Sequence, residues 1–178
     1  MCIRDRFIGA ANPCKCGFLG DSRKRCTCSR TEIDRYRNRL SGPLADRIDM
    51  CIEICRVDYG QLQGKRSQST GEMKEKVSMA RKIQEERFKG RAISYNSRMS
   101  VRETEEFCKL KRDGRAFLQQ LYKSFGVSPR RYYKILKLAR TLADMDDSGE
   151  IEEEHIAAAF HSVSYTHLDV YKRQEEHR

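Results

Sequence analysis

Cys14, Cys16, Cys26 and Cys28 form two Cys-x-Cys pairs separated by nine residues, and the sequence concentrates its chemistry there. If the intervening GFLGDSRKR folds as a hairpin or knuckle, which Gly17 and Gly20 permit, the four thiols meet. Four thiolates suit tetrahedral Zn²⁺, and Arg23, Lys24 and Arg25 offset the negative charge of such a site. The spacing differs from the common Cys-x2-Cys ribbon, so unpaired structural thiols and a redox role stand as alternatives. The chain has eight cysteines, no apolar start of signal-peptide type and no run of about 18 apolar residues. It reads as cytoplasmic with no membrane partner, and in that compartment thiols serve as metal ligands or small hydrophobes rather than disulfides.

Three further positions carry candidate phosphate chemistry. Asn12 ends the apolar run FIGAA just before Pro13. At the tip of a strand in an open α/β sheet it would face a ligand; otherwise it turns the chain before proline. Arg47, in LADRID, follows a break at SGP and would sit at a helix end, where a guanidinium suits phosphate charge. Its alternative is a surface pair with Asp46 or Asp49. Arg130 and Arg131 fall in the first turn of a helix opened by Ser128 and Pro129, where the helix dipole disfavours cations unless an anion is present. One of that pair is a phosphate candidate against a solvated surface role. His155 and His161 have no neighbouring nucleophile or acid in sequence and read as surface residues.

The positioning elements follow from periodicity. Residues 7–11 and 50–57 read as strands, the second alternating Ile52 and Ile54 with Cys51, Glu53 and Cys55, the two cysteines as packing residues. Residues 29–40 read as an amphipathic helix with Ile33, Tyr36 and Leu40 on one face, and a short helix restarts at Leu44. Residues 58–71 lack apolar period and read as a linker. Everything beyond is helical. A Ser69/Glu72 capping box opens a helix that buries Met73, Val77, Ala80 and Ile83. A Ser100/Glu103 box opens a second, and a third buries Phe117, Leu121 and Phe125. Ser128-Pro129 opens a fourth burying Tyr132, Leu136, Ala139 and Ala143, and a last helix carries Ile156 and Phe160. The domains expected are a partial α/β core over 7–57, the linker 58–71 and an all-α module over 72–162. Residues 1–6 (MCIRDR) and the SYTHLDVYKRQ stretch within 163–178 resemble translated sequencing-adapter DNA, so both ends read as artefact, the second otherwise as a disordered tail.

The 178 residues suffice for one ordinary or two small domains, and 36 Lys and Arg against 26 Asp and Glu give a net charge of +10. That balance favours anionic partners, nucleotide or nucleic acid.

Taken together, FIGAANPCKCGFLGD, the CTC pair, IDRYRNRLSGPLADRIDM and SPRRYYKILKLARTLADMDDSGEIEEEHIAAAF resemble the C-terminal part of a magnesium-chelatase-like AAA+ ATPase of the ComM/YifB family. The resemblance implies a P-loop α/β core followed by a helical lid. It makes Asn12 the sensor-1 residue, Arg47 the arginine finger and Arg130 the sensor-2 arginine, with Asn12 and Arg130 near bound ATP and Mg²⁺. It also implies a ring, expected to be a hexamer, since an arginine finger completes a neighbouring subunit's site. ComM-type members imply DNA remodelling by branch migration. No G-x-x-x-x-G-K-[ST] and no strand ending in an acidic pair occur, so this polypeptide alone is not expected to hydrolyse ATP, whereas its parent is. Two other functions compete: a metal-chelatase motor acting on a tetrapyrrole, which the Cys-pair insertion argues against, and a non-enzymatic zinc module binding nucleic acid through residues 23–39.

Overall fold

Serines start the helices. Ser29, Ser69 and Ser100 each accept a hydrogen bond from the backbone N–H three residues on, while the carboxylates of Glu32, Glu72 and Glu103 accept the N–H of their serine in return. Those reciprocal bonds satisfy N–H groups that a helix start leaves orphaned, and the cap N–H groups hold the three carboxyls below their ordinary range. Ser128 caps the next helix alone, with Pro129 at its first position.

The computed structural model describes residues 7–21, 23–39, 47–54, 57, 59–60 and 68–163. The helices that lie wholly among the described residues are α1 (Arg30–Asn38), α2 (Thr70–Arg87), α3 (Val101–Phe107), α4 (Arg112–Phe125), α5 (Pro129–Met145) and α6 (Glu153–Val163), with a 3₁₀ turn at Asn96–Arg98, and Tyr59 and Gly60 are helical as well. The chain divides into two compact units, Met1–Ile48 and Asp49–Arg178. No helix among the described residues is long and apolar enough to cross a membrane.

The second unit is a helical module built around α5, which packs against α2, the 3₁₀ turn, α3 and, most extensively, α6. Its buried positions, Ile135, Leu136, Ala139, Arg140, Ala143 and Asp144, recur at helical spacing and form one stripe. Phe88, Met99, Leu118, Leu121, Val127, Ile151, Ile156 and Phe160 complete the core around it. At the end of α5 the N–H of Ser148 bonds the carbonyl of Ala143 at 2.8 Å, with Asp147 left-handed at φ 53°, the arrangement that closes a Schellman cap. Leu110 and Ile151 then pair in a single parallel bridge that fixes where α6 begins.

Gly114 lies where α4 meets that junction: a Cβ there would stand 3.1 Å from Ile156 Cδ1 and 3.3 Å from the Ile151 carbonyl oxygen. Alanine is favoured over glycine in a helix by about 1 kcal/mol, but overpacking against a fixed backbone oxygen typically costs about 1–3 kcal/mol. Gly114→Ala is therefore expected to destabilise the module by about 1 kcal/mol, read as a lowered midpoint in urea; an unchanged or raised midpoint would show that the junction yields.

Several sequence expectations need correction. No strand occurs among the described residues. Residues 7–11 and 50–54 carry the apolar composition of strands, yet Phe7 and Ile8 are 83% and 93% exposed and Ile52 and Ile54 are 73% and 88% exposed. A strand exists only through its ladder, and among the described residues neither segment forms one. What the second segment does find is the end of α6: the Cys51 N–H bonds the Ser162 carbonyl at 2.7 Å. Met73 and Val77 are exposed, because only the latter half of α2, from Ala80 onward, lies on α5. Phe125 is also exposed, although α4 ends at the left-handed Gly126 as its sequence suggests. His155 is buried rather than superficial. Its Nδ1 accepts the Glu152 N–H at 3.0 Å and its Nε2 lies 3.3 Å from an Asp146 carboxylate oxygen, so it does at α6 what the glutamates do in the other capping boxes. Leu40, the break at 41–43, the short helix from Leu44, Cys55, most of the linker and both suspected artefact ends lie outside the described residues.

Candidate metal centre

Two turns bring the thiols together. The Gly17 N–H bonds the Cys14 carbonyl at 3.1 Å and the Asp21 N–H bonds the Phe18 carbonyl at 3.2 Å, with Gly17 and Gly20 left-handed at φ 81° and 83°. Asp21 Oδ1 then accepts the N–H groups of Arg23 and Lys24 at 2.8 and 2.9 Å and turns the chain back towards Cys26. The predicted knuckle is thus two tight turns and an Asx turn. Lys15 reaches Glu32 at 3.6 Å and ties its start to α1.

The four sulfurs lie within 4.8 Å of one another. Cys14 Sγ is 3.4 Å from Cys16 Sγ and 3.7 Å from Cys26 Sγ, and the latter two are 3.5 Å apart. These separations far exceed a disulfide bond. A tetrahedron with Zn–S near 2.3 Å has S···S edges of about 3.8 Å, so the cluster is nearly the size such an ion requires. The donor set is all sulfur, which suits zinc over harder cations.

Electrostatics within the cluster point the same way. The backbone N–H groups of Phe18 and Thr27 stabilise the Cys16 thiolate and bring its pKa down to about 5. For Cys26 the Cys28 N–H acts in the same sense, but desolvation and the crowding Cys16 and Cys14 sulfurs outweigh it and push the thiol up to about 12. The Cys28 thiol is likewise raised, by desolvation and the same neighbours, against the pull of the Cys16 N–H. One thiolate forms readily and the next ones are repelled by it; a divalent cation at the centre removes that repulsion.

Among the described residues of the first unit, Cys14 alone is buried. Asn12 is exposed, its carboxamide so close to Gly17 that a Cβ there would lie 3.8 Å from the Asn12 Cγ. Arg47 is exposed in the same unit. Arg130 is exposed in the first turn of α5, in the second unit. The four cysteines are the predicted site residues that the structure gathers into one cluster.

Sequence reasoning missed a polar cluster within the helical module. Asp144 and Arg140 are each 1% exposed, as is Asn96. The Asp144 carboxylate accepts Arg140 Nε at 3.0 Å, Asn96 Nδ2 at 2.8 Å and Arg87 Nη1 at 2.7 Å, and Arg87 Nη2 completes a two-pronged pair. Arg140 extends onward to the carbonyls of Gly149, at 2.9 Å, and Ser148. The i,i+4 spacing of Arg140 and Asp144 inside an apolar stripe was the available signal.

Comparison with known proteins bears on both units. Residues 67–162 match the family model described as magnesium chelatase, subunit ChlI C-terminal, and residues 3–62 match that of magnesium chelatase, subunit ChlI. The chain is 37% identical over 158 residues to Competence protein ComM of Haemophilus influenzae, covering 88% of this chain and 30% of that protein. It is 34% identical over 168 residues to the protein YifB of Salmonella typhimurium, covering 93% and 31%. For YifB of Escherichia coli the identity is 35% over 168 residues, with the same coverage. The chain therefore spans about 30% of the length of these relatives.

Proposed function

The chain belongs to the magnesium-chelatase-like family of AAA+ proteins whose relatives include ComM and YifB, and on that premise we propose that it is part of a ring-forming ATPase that couples ATP hydrolysis to remodelling of DNA. The observation that carries this reading is the joint match of both units to chelatase-subunit families together with the similarity to a competence protein. In it, residues 7–57 belong to the α/β core, 58–71 link, and 72–162 form the lid. The exposed apolar segments 7–11 and 50–54 fit strands that pair with the rest of a core sheet. Asn12 acts as sensor 1, orienting the attacking water. Arg47 is the arginine finger that reaches a neighbouring subunit's nucleotide, and Arg130 is the sensor-2 arginine of the lid. Each places a donor where charge develops on the transferring phosphoryl group, with ATP bound as its Mg²⁺ complex. The assembly is a hexamer. Zn²⁺ held by Cys14, Cys16, Cys26 and Cys28 is structural and fixes the segment between Asn12 and α1.

The test uses the whole protein that contains this chain. Arg47→Ala should lower ATP turnover by about 10³-fold or more and leave ATP binding largely intact, because an arginine finger acts on the transition state. Unchanged turnover would remove the assignment. A second reading, a metal-chelatase motor subunit, has the family descriptions in its favour; ATP-dependent metal insertion into a tetrapyrrole by the whole protein would establish it in place of DNA remodelling.

A further inference from the structure

We infer that the knuckle loop between Cys16 and Cys26, together with the outer face of α1, is a surface that grips the phosphodiester backbone of DNA. Charge is concentrated here: residues 7–39 contain eight Lys and Arg against three acidic residues, while the whole chain carries 36 against 26. Under a fifth of the sequence thus holds half of the net positive charge.

The three acids are engaged within the loop and along α1, two of them with basic neighbours. Asp21 turns its Oδ1 on the backbone N–H groups of Arg23 and Lys24. Glu32 is occupied by the Ser29 cap and by Lys15, and Asp34 lies 3.3 Å from Arg30. Arg23, Lys24 and Arg25 are exposed in sequence on a loop pinned at both ends by the thiol cluster. Lys24 Nζ stands 4.1 Å over the Phe18 ring, which steadies a long side chain that would otherwise lose rotamer freedom on binding. Arg35 and Arg39, four residues apart, present a second pair on the exposed side of α1.

A rigid loop bearing three adjacent cations is suited to backbone phosphates, which carry no sequence information, and not to base edges. Its place in the protein rests on the DNA-remodelling reading; the binding itself needs neither ATP nor a ring. In the whole motor this surface would hold the strand while the nucleotide sites turn over.

The test is fluorescence anisotropy of this chain, zinc-loaded, with a labelled random-sequence DNA duplex across about 50–200 mM salt. Each phosphate contact on duplex DNA contributes about 0.9 to the slope of log affinity against log salt. The triple variant Arg23→Gln/Lys24→Gln/Arg25→Gln should lower that slope by between about two and three and weaken binding at the lowest salt by roughly tenfold or more. Arg35→Gln/Arg39→Gln should lower it by about one to two in a separate variant. Zinc content and circular dichroism are measured for each, so that a loss of fold is not read as a loss of contact; a variant that loses its zinc is replaced by the single Arg25→Gln, whose expected slope change is about one. Wild-type affinity and slope in the zinc-loaded loop variants would overturn the proposal, as would failure of the wild-type chain to bind the duplex at the lowest salt. Neither result bears on the ATPase reading, which stands or falls with Arg47.

Discussion

Protein purified without chelator is expected to carry one equivalent of zinc per chain, and Cys14→Ser/Cys26→Ser to carry none. The effect should be large, because a metal would add most to a unit that buries so little among its described residues. Cys14 is its one buried side chain among the described residues, and the rest of its order comes from tight turns, an Asx turn and a nine-residue helix with a capping box. Chains this small rarely bury enough apolar surface to offset the backbone entropy they lose, and a structural metal commonly supplies the difference. Apparent zinc binding energies in comparable small modules are about 10–16 kcal/mol at neutral pH, and that energy is folding energy. Stripping the metal should therefore unfold the knuckle while the helical module keeps its far-UV signal. Acidification should do the same, since the ligands bind as thiolates and protons compete for them. Cobalt added to the stripped protein should give the intense visible bands of a tetrahedral thiolate site. Wild-type protein that holds neither metal, or a double serine variant that holds as much zinc as wild type, would leave the four cysteines as packed thiols.

The contrast between the two units explains how much of the molecule could be seen in its sequence. Helix starts were legible because they are local: Ser69 with Glu72, Ser100 with Glu103 and Ser128 with Pro129 complete their hydrogen bonds within four residues. The thiol cluster was legible for a related reason, since its loop is short and its glycines allow few other closures. Strand character at residues 7–11 and 50–54 was not decided locally, because the bonds of a strand belong to a neighbour that may lie far along the chain. Met73 and Val77 have the spacing of a buried face, yet α2 outruns the helix it packs on, and periodicity says which face is apolar without saying how far the partner extends. His155 was misread for want of its fold: the acid that it meets, Asp146, is nine residues away and comes near only after the turn between α5 and α6. The roles assigned to Asn12, Arg47 and Arg130 come from the family resemblance, and all three positions are exposed.

The same turn sets the second large effect: Asp144→Ala should destabilise the helical module by about 3–5 kcal/mol, the usual result of removing one member of a buried ion pair. Asp144 is not one half of a simple pair. It answers two guanidiniums, Arg87 from α2 and Arg140 from its own helix, and also positions Asn96 in the 3₁₀ turn. Burial disfavours the charge on Arg140, and the Asp144 carboxylate is what opposes that. Removing the carboxylate leaves two cations crowded in a site with little water, and Arg140 can relieve this only by releasing the Ser148 and Gly149 carbonyls that it holds beyond the end of α5. The α5–α6 turn, and with it the largest helix–helix contact of the module, should loosen. Thermal melting of the variant should fall by roughly 10–20 °C for a module of this size. Asp144→Asn keeps the shape and one acceptor but not the charge, and should lie between alanine and wild type. Arg140→Met combined with Asp144→Leu should recover part of the loss, because the pair is then replaced by apolar groups of similar volume, but Arg87 and Asn96 still lack their acceptor and the recovery stops short of wild type. A change below about 0.5 kcal/mol in Asp144→Ala would mean that the two arginines find water or other acceptors, and that α5 is held by its apolar stripe alone.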